Sequence, residues 1–203
     1  EAREPGAPEV VEGRRILAAE RFAARIEALR EEAAAAEREA RWADAARAYG
    51  AALELDGALA FARDGYQRTD ARAALDRDLD ATLGSPEELN QRGRLEAAQA
   101  LLTRARSVAD PDPRLARQVE ALDELLRLAV IPVVVTLRSD GFTEVRVLRE
   151  ANPGRFLETT LELLPGRYVA TGTRIGYQDV RVSFVVTPEG TEAPVSVRCT
   201  TRL

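Results

Sequence analysis

The chain has no histidine, no lysine and no methionine, one cysteine (Cys199) and one tryptophan (Trp42). Without histidine the commonest general base and metal ligand is missing, and Ser/His and Cys/His nucleophile pairs are excluded. A lone cysteine excludes an internal disulfide and a Cys-x-x-Cys metal site. Cys199 alternates with Val195 and Val197, which predicts a small buried hydrophobe rather than a reactive thiol. No apolar run approaches the roughly 18 residues that a membrane-spanning helix needs. Because lysine is absent, all 29 cations are arginines; the richness in Ala, Arg and Gly reads as a GC-rich coding sequence rather than as a set of phosphate forks.

The motifs of common reactions are missing too. Gly172–Gly176 lacks the lysine and the following helix of a phosphate loop, and no Gly-x-Ser-x-Gly elbow occurs. Asp76, Asp78 and Asp80 alternate on an expected helix, so their side chains point in different directions and are expected to form a solvated face. The same stretch lacks the glycine and distal glutamate of a calcium loop. The expectation is no catalytic residue, no cofactor and no metal site. An enzyme working with carboxylates alone would need two of them facing one cleft.

What is present suits a globular protein. The 203 residues are 45% apolar and 31% charged, enough for one large domain or two small ones. Of the net charge of −5, residues 131–203 carry nine arginines against eight acids, about +1, and the rest carries −6. That balance argues against nonspecific binding to nucleic acid or to anionic membranes.

The grammar of the sequence changes near Ile131. Before it, Ala, Leu, Arg and Glu recur with helical spacing; after it, Val, Thr and Gly alternate in short strands. The fold class expected is α+β in two segregated domains: a disordered lead over 1–7, an all-α domain over 8–129 and a small antiparallel β-sandwich over 131–203. Leu128–Pro132 runs from helix to strand without a Gly/Ser linker, and its apolar character predicts a buried junction of fixed orientation.

In the helical part, a run from Pro8 to Ala40 carries Val10, Leu17, Phe22, Ile26 and Leu29. Its start around Glu12–Arg15 either projects as a stalk or packs on the next helices. Trp42–Asp56 carries Ala45, then Tyr49 four residues on, then Ala52, Leu53, Leu55 and Asp56, followed by Gly57. Small residues let paired helices approach, and the aromatic fills the gap beside them. This segment resembles the second helix of a tetratricopeptide repeat, with Gly57 where that family has proline. Leu29, Ala33 and Ala36 fall at the packing positions of the preceding helix. Gly93–Ala105 repeats the pattern with Ala98, Leu102 and Ala105. The two copies lie 53 residues apart, from Trp42 to Leu95, against a repeat of about 34. A degenerate helix pair over 58–67 and 70–83 is expected between them, giving about three pairs. Ser85-Pro86-Glu87-Glu88 and Asp112-Pro113 both read as helix starts. An unrelated α-bundle is the alternative. The resemblance implies a groove, lined by first helices, for a protein or peptide partner. By it, Arg30, Glu37, Arg38, Asn90 and Gln91 are the candidate groove residues; they are otherwise solvated helix faces.

In the β part, strands are expected over 131–137, 144–148, 156–163, 167–173, 179–186 and 194–200, with turns at 139–141, 152–154, 165–166, 176 and 188–190. Leu161-Glu162-Leu163-Leu164-Pro165-Gly166-Arg167-Tyr168 and Gly176-Tyr177 carry a resemblance to the PEGA domain, a small sandwich of bacterial and archaeal envelope and surface proteins. A generic immunoglobulin-like sandwich is the alternative. The motif implies a type II turn at Pro165-Gly166, with Tyr168 entering the core. Phe142, Phe156, Tyr168, Tyr177 and Phe184 are expected in the core rather than on a glycan-binding platform.

Together these readings point to a non-enzymatic interaction or scaffold protein of the bacterial cell envelope. The expected location is periplasmic, with a membrane anchor or signal peptide upstream of this chain and membrane contact only through that missing segment. A carbohydrate- or peptidoglycan-binding β domain is the alternative function, and the cytoplasm the alternative compartment. No nucleic-acid partner is expected, and the sequence leaves the oligomeric state open.

Overall fold

A computed structural model describes residues 8–203; the lead expected over 1–7 lies outside the described residues. Five helices come first: α1 (Pro8–Arg38), α2 (Trp42–Leu55), α3 (Ala60–Leu83), α4 (Arg94–Arg106) and α5 (Pro113–Leu128). Seven strands follow: β1 (Val133–Arg138), β2 (Glu144–Val147), β3 (Ala151–Gly154), β4 (Glu158–Leu163), β5 (Gly166–Thr173), β6 (Val180–Val186) and β7 (Val195–Ser196). The fold class is α+β with the two kinds of structure segregated along the chain.

The chain is built of two compact units. They meet inside α3, the first ending at Arg77 and the second spanning Asp78–Leu203. The second unit therefore holds the last turns of α3, α4, α5 and both sheets.

In the first unit, α1 ends at a tight turn in which Ala40 has φ 54° and the Arg41 N–H donates to the Ala36 carbonyl at 2.8 Å. α2 buries Ala45, Ala48, Tyr49 and Ala52, of which the last three meet Leu29 and Ala33 of α1 and Ala62 of α3. Ala36 is buried as well, so all three packing positions read from α1 are interior. The earlier part of α1 is different: Val11, Ile16, Leu17 and Phe22 are all exposed. α3 is one uninterrupted helix of 24 residues, which corrects the expectation of a helix pair over 58–83. Nothing near Arg68 stops it; no proline or left-handed residue lies there.

In the second unit, Asp112 caps α5 as read, its Oδ1 accepting from the N–H groups of Arg114 at 2.9 Å and Leu115 at 3.0 Å. Ser85-Pro86-Glu87-Glu88 does not open a long helix. It forms one 3-10 turn, Pro86–Glu88, with no side-chain cap from Ser85. Contacts to β5 supply the reason: Glu87 accepts from Arg167 Nη2 at 2.7 Å, and Asn90 Nδ2 donates to the Arg167 carbonyl at 3.2 Å. α4 then begins after Gly93, at φ 78°.

Two sheets, ordered β4-β1-β7 and β3-β2-β5-β6, face each other across one core. Val135 and Leu137 from the first sheet pack with Val145, Val147, Tyr168 and Ala170 from the second. Pairings are antiparallel except β1 with β7, which run parallel through Leu137↔Val195 and Arg138↔Ser196. β3 occupies the stretch expected as the 152–154 turn; it is an edge strand, where Pro153 forfeits no interior ladder bond. The Pro165-Gly166 step is also corrected. Gly166 has φ 159° and already pairs with Val186, so it is extended backbone rather than the third residue of a type II turn. At the helix-to-strand junction only Ala129 is buried, while Val130 and Ile131 are about half exposed (52% and 53%), against the expected buried junction.

Candidate functional site

The sequence-predicted groove residues are distributed over both units, and the structure ties most of them into the fold. In the first unit, Glu37 accepts the Tyr49 hydroxyl at 2.7 Å and Arg68 Nη2 at 2.8 and 3.1 Å, so one carboxylate on α1 binds α2 and α3. Burial, then the hydrogen bond to Glu37, pushes the Tyr49 phenol above its usual pKa. Arg30 lies over the Phe61 ring of α3, 5.1 Å from its centroid. Arg38 is exposed, its Nε donating to the Ala34 carbonyl of its own helix at 3.2 Å.

In the second unit, Asn90 is packed on β5. A Cβ added to Gly166 would stand 2.2 Å from the Asn90 amide, which shows how closely that side chain lies on the strand backbone. Asn90 Oδ1 is buried and accepts no hydrogen bond among the described residues. Gln91, next to it, is exposed and lines no described cavity.

One concavity of this unit lies among its helices, and another lies beside Phe184 and Val195 on the sandwich. The last turns of α3, the Ser85–Leu89 segment and α4 enclose a groove of about 720 Å³. Its apolar lining is made of small or short side chains: Ala81, Ala97, Ala98, Ala100, Leu89 and Leu101. Its rim carries two ion pairs, Arg94–Glu88 at 3.3 Å and Arg104–Asp78, with Thr82 and Ser85 between them. Ala98, one of the small residues read as a packing position, is 3% exposed, whereas Ala97 and Ala100 are open to solvent. An apolar centre with a polar rim of both charges is the anatomy of a protein interface. Long polar side chains drew the sequence reading to Asn90 and Gln91; the signal missed was the alanine ladder of α4 facing Ala81.

Asp76, Asp78 and Asp80 do not share a site, and they are not a freely solvated face. Asp76 is 8% exposed and pairs with Arg72 one turn earlier. Asp78 binds Arg104 of α4; Asp80 accepts from Arg114 at 2.6 Å and Gln118 at 2.7 Å, both on α5. Each carboxylate is a tie between helical turns or between helices.

The aromatic residues of the sandwich separate into two groups. Tyr168 is buried at 5% exposure, stacked on Phe184 with centroids 5.7 Å apart, and its hydroxyl donates to the Leu164 carbonyl at 2.8 Å. Phe156 packs against the same core. Phe142, expected in the core, is 65% exposed. Tyr177 is half-buried between guanidinium groups, 4.1 Å from Arg174 and 5.9 Å from Arg202. Cys199 is buried, its thiol directed at the Gly172 carbonyl at 3.3 Å.

No protein-family model and no curated protein sequence matches this chain.

Proposed function

We propose that this chain is a non-enzymatic interaction module, a scaffold of the cell envelope, that takes a peptide or helix of a partner protein into the groove between α3 and α4. The observation that carries the reading is the groove itself: solvent-open alanines at its floor let a partner backbone approach closely, and Glu88, Arg94, Asp78 and Arg104 offer both charges to its flanks. The tetratricopeptide-like grammar of α2 and α4 and the PEGA-like grammar of the strands support the same class and the envelope location. The carboxylates on the end of α3 are engaged in ion pairs, which suits a binding surface better than acid–base chemistry. A glycan platform draws less support, since Tyr168 and Phe184 stack inside the sandwich.

The experiment compares proteins recovered from envelope extracts by the wild-type chain and by Ala97→Arg, which fills the groove from a solvent-open position. A partner retained by the first and lost by the second is expected. Identical recovery by both, or none above a control, refutes the groove as the binding site.

A further inference from the structure

The second unit has another distinctive surface, at the end of the sandwich remote from the Asn90 contact. β1, β3, β5 and β7 all run toward that end, and β2, β4 and β6 run away from it. The loops there expose apolar side chains: Phe142 at 65%, Leu157 at 72% and Ile175 at 97%. A side chain as bare as Ile175, at the tip of the β5–β6 hairpin, stands out from the surface. Soluble proteins seldom cluster such residues without a partner.

Behind the apolar tips lies a layer of aromatic and cationic groups. Arg174 stacks between Phe142 at 4.9 Å and Tyr177 at 4.1 Å, and Arg202 Nε donates to the Tyr177 hydroxyl at 3.3 Å. Apolar tips backed by a tyrosine flanked by arginines match the layers of a bilayer from its hydrocarbon outward to its headgroups. The charge suits phosphate headgroups. Asp140 and Arg174 neutralise each other at 3.1 Å, leaving Arg155, Arg198 and Arg202 against Asp179 on these loops. The −6 of the remaining chain is carried by the helical part.

The backbone at this end is also prepared for a poorly hydrated medium. Asp140 Oδ1 accepts from the N–H groups of Phe142 at 2.9 Å and Thr143 at 2.7 Å. Gly141 N–H donates to the Phe156 carbonyl at 2.9 Å, Tyr177 N–H to Arg174 and Leu203 N–H to Gly176, both at 3.1 Å. Such pairing is common in turns that meet water; here it also leaves fewer backbone groups to be desolvated at an interface.

We propose that this loop end is a membrane-contacting surface: Phe142, Leu157 and Ile175 enter the interfacial region of a phospholipid bilayer, while Arg155 and Arg202 meet lipid phosphates. The contact is peripheral and independent of the α3–α4 groove.

The test is cosedimentation of the whole chain with vesicles of phosphatidylcholine containing phosphatidylglycerol, and with phosphatidylcholine alone. The wild type is expected to partition onto the mixed vesicles and less onto the neutral ones. Withdrawing one inserted isoleucine reduces partition by about tenfold or more, so Ile175→Asp and Leu157→Asp should each show that loss while Ile175→Leu retains binding. Arg202→Gln should reduce the preference for anionic vesicles, and Ala97→Arg should leave partition unchanged. Both aspartate variants lie at exposed positions, and unchanged circular dichroism establishes that they fold. Failure of the wild type to bind either vesicle overturns the proposal, as does full binding by Ile175→Asp or the recovery of a soluble protein partner on these loops without any vesicle binding.

Discussion

The ring of Tyr49 on α2 occupies the space that a side chain on Gly65 of α3 would need: a Cβ there would stand 2.5 Å from Cζ. The relation is reciprocal in sequence, since Tyr66 lies beside Gly50, whose added Cβ would stand 3.4 Å from that ring. A Tyr-Gly pair on one helix thus meets a Gly-Tyr pair on the next. Helix propensity alone favours Ala over Gly by about 1 kcal/mol, but a contact this short displaces a buried ring. Gly65→Ala is expected to destabilise the first unit by about 2–3 kcal/mol, read by denaturant unfolding with Trp42 fluorescence. Gly13→Ala, with nothing within 4 Å of the added Cβ, should instead raise helicity; equal effects of the two substitutions would contradict the packing described.

At the other glycine contact, Gly166→Ala drives a Cβ into the Asn90 amide. It should destabilise the second unit by about 2 kcal/mol, and Asn90→Gly should recover part of that loss in the double variant. A double-mutant cycle showing strict additivity would mean that the two residues do not touch.

Asp140 sets the acid response of the sandwich. Partial burial disfavours its charge, but the N–H groups of Thr143 and Phe142 and the Arg174 guanidinium outweigh this, bringing its pKa from 3.8 down to about 2. A depressed carboxylate stabilises the fold above its unfolded pKa and loses that contribution as pH falls through its folded one. About 2 kcal/mol should therefore be present above pH 3.8 and vanish as pH approaches 2. Asp140→Asn should be less stable at neutral pH and flatter across that window in urea unfolding followed by near-ultraviolet circular dichroism; parallel curves would contradict the assignment.

Cys199, 3% exposed between Thr143 and Gly172, should react with an aromatic disulfide reagent only after denaturation. Stoichiometric labelling of the native chain within seconds would place the thiol at the surface.

Strand periodicity made most of the sandwich legible. β5 alternates inward Tyr168, Ala170 and Gly172 with outward neighbours, and sequence spacing alone states that pattern. β3 escaped because Asn-Pro-Gly is turn chemistry, and only an edge position makes it a strand. Ser85-Pro86 carried a sound local signal that lost to distant contacts with Arg167. The exposure of Phe142 is invisible to alternation, because it follows from an Asx turn at Asp140 rather than from a strand. The candidate groove was harder still. Alanine is the default filler of a helix, so nothing local separates the buried Ala98 from the open Ala97. That difference exists only once α3 and the Ser85–Leu89 segment are in place.

The parallel ladder between β1 and β7 has a consequence for biosynthesis. β1 is the middle strand of its sheet, yet one of its two neighbours comes from residues 195–196. Domains fold as their parts emerge from the ribosome, and α1 and α2 adjoin in sequence, so the helices find neighbours early. The sandwich must wait, its first strand half-flanked, until the final stretch of these 203 residues has been translated. During that interval the open side of β1 is the place where a nascent chain could recruit the wrong strand.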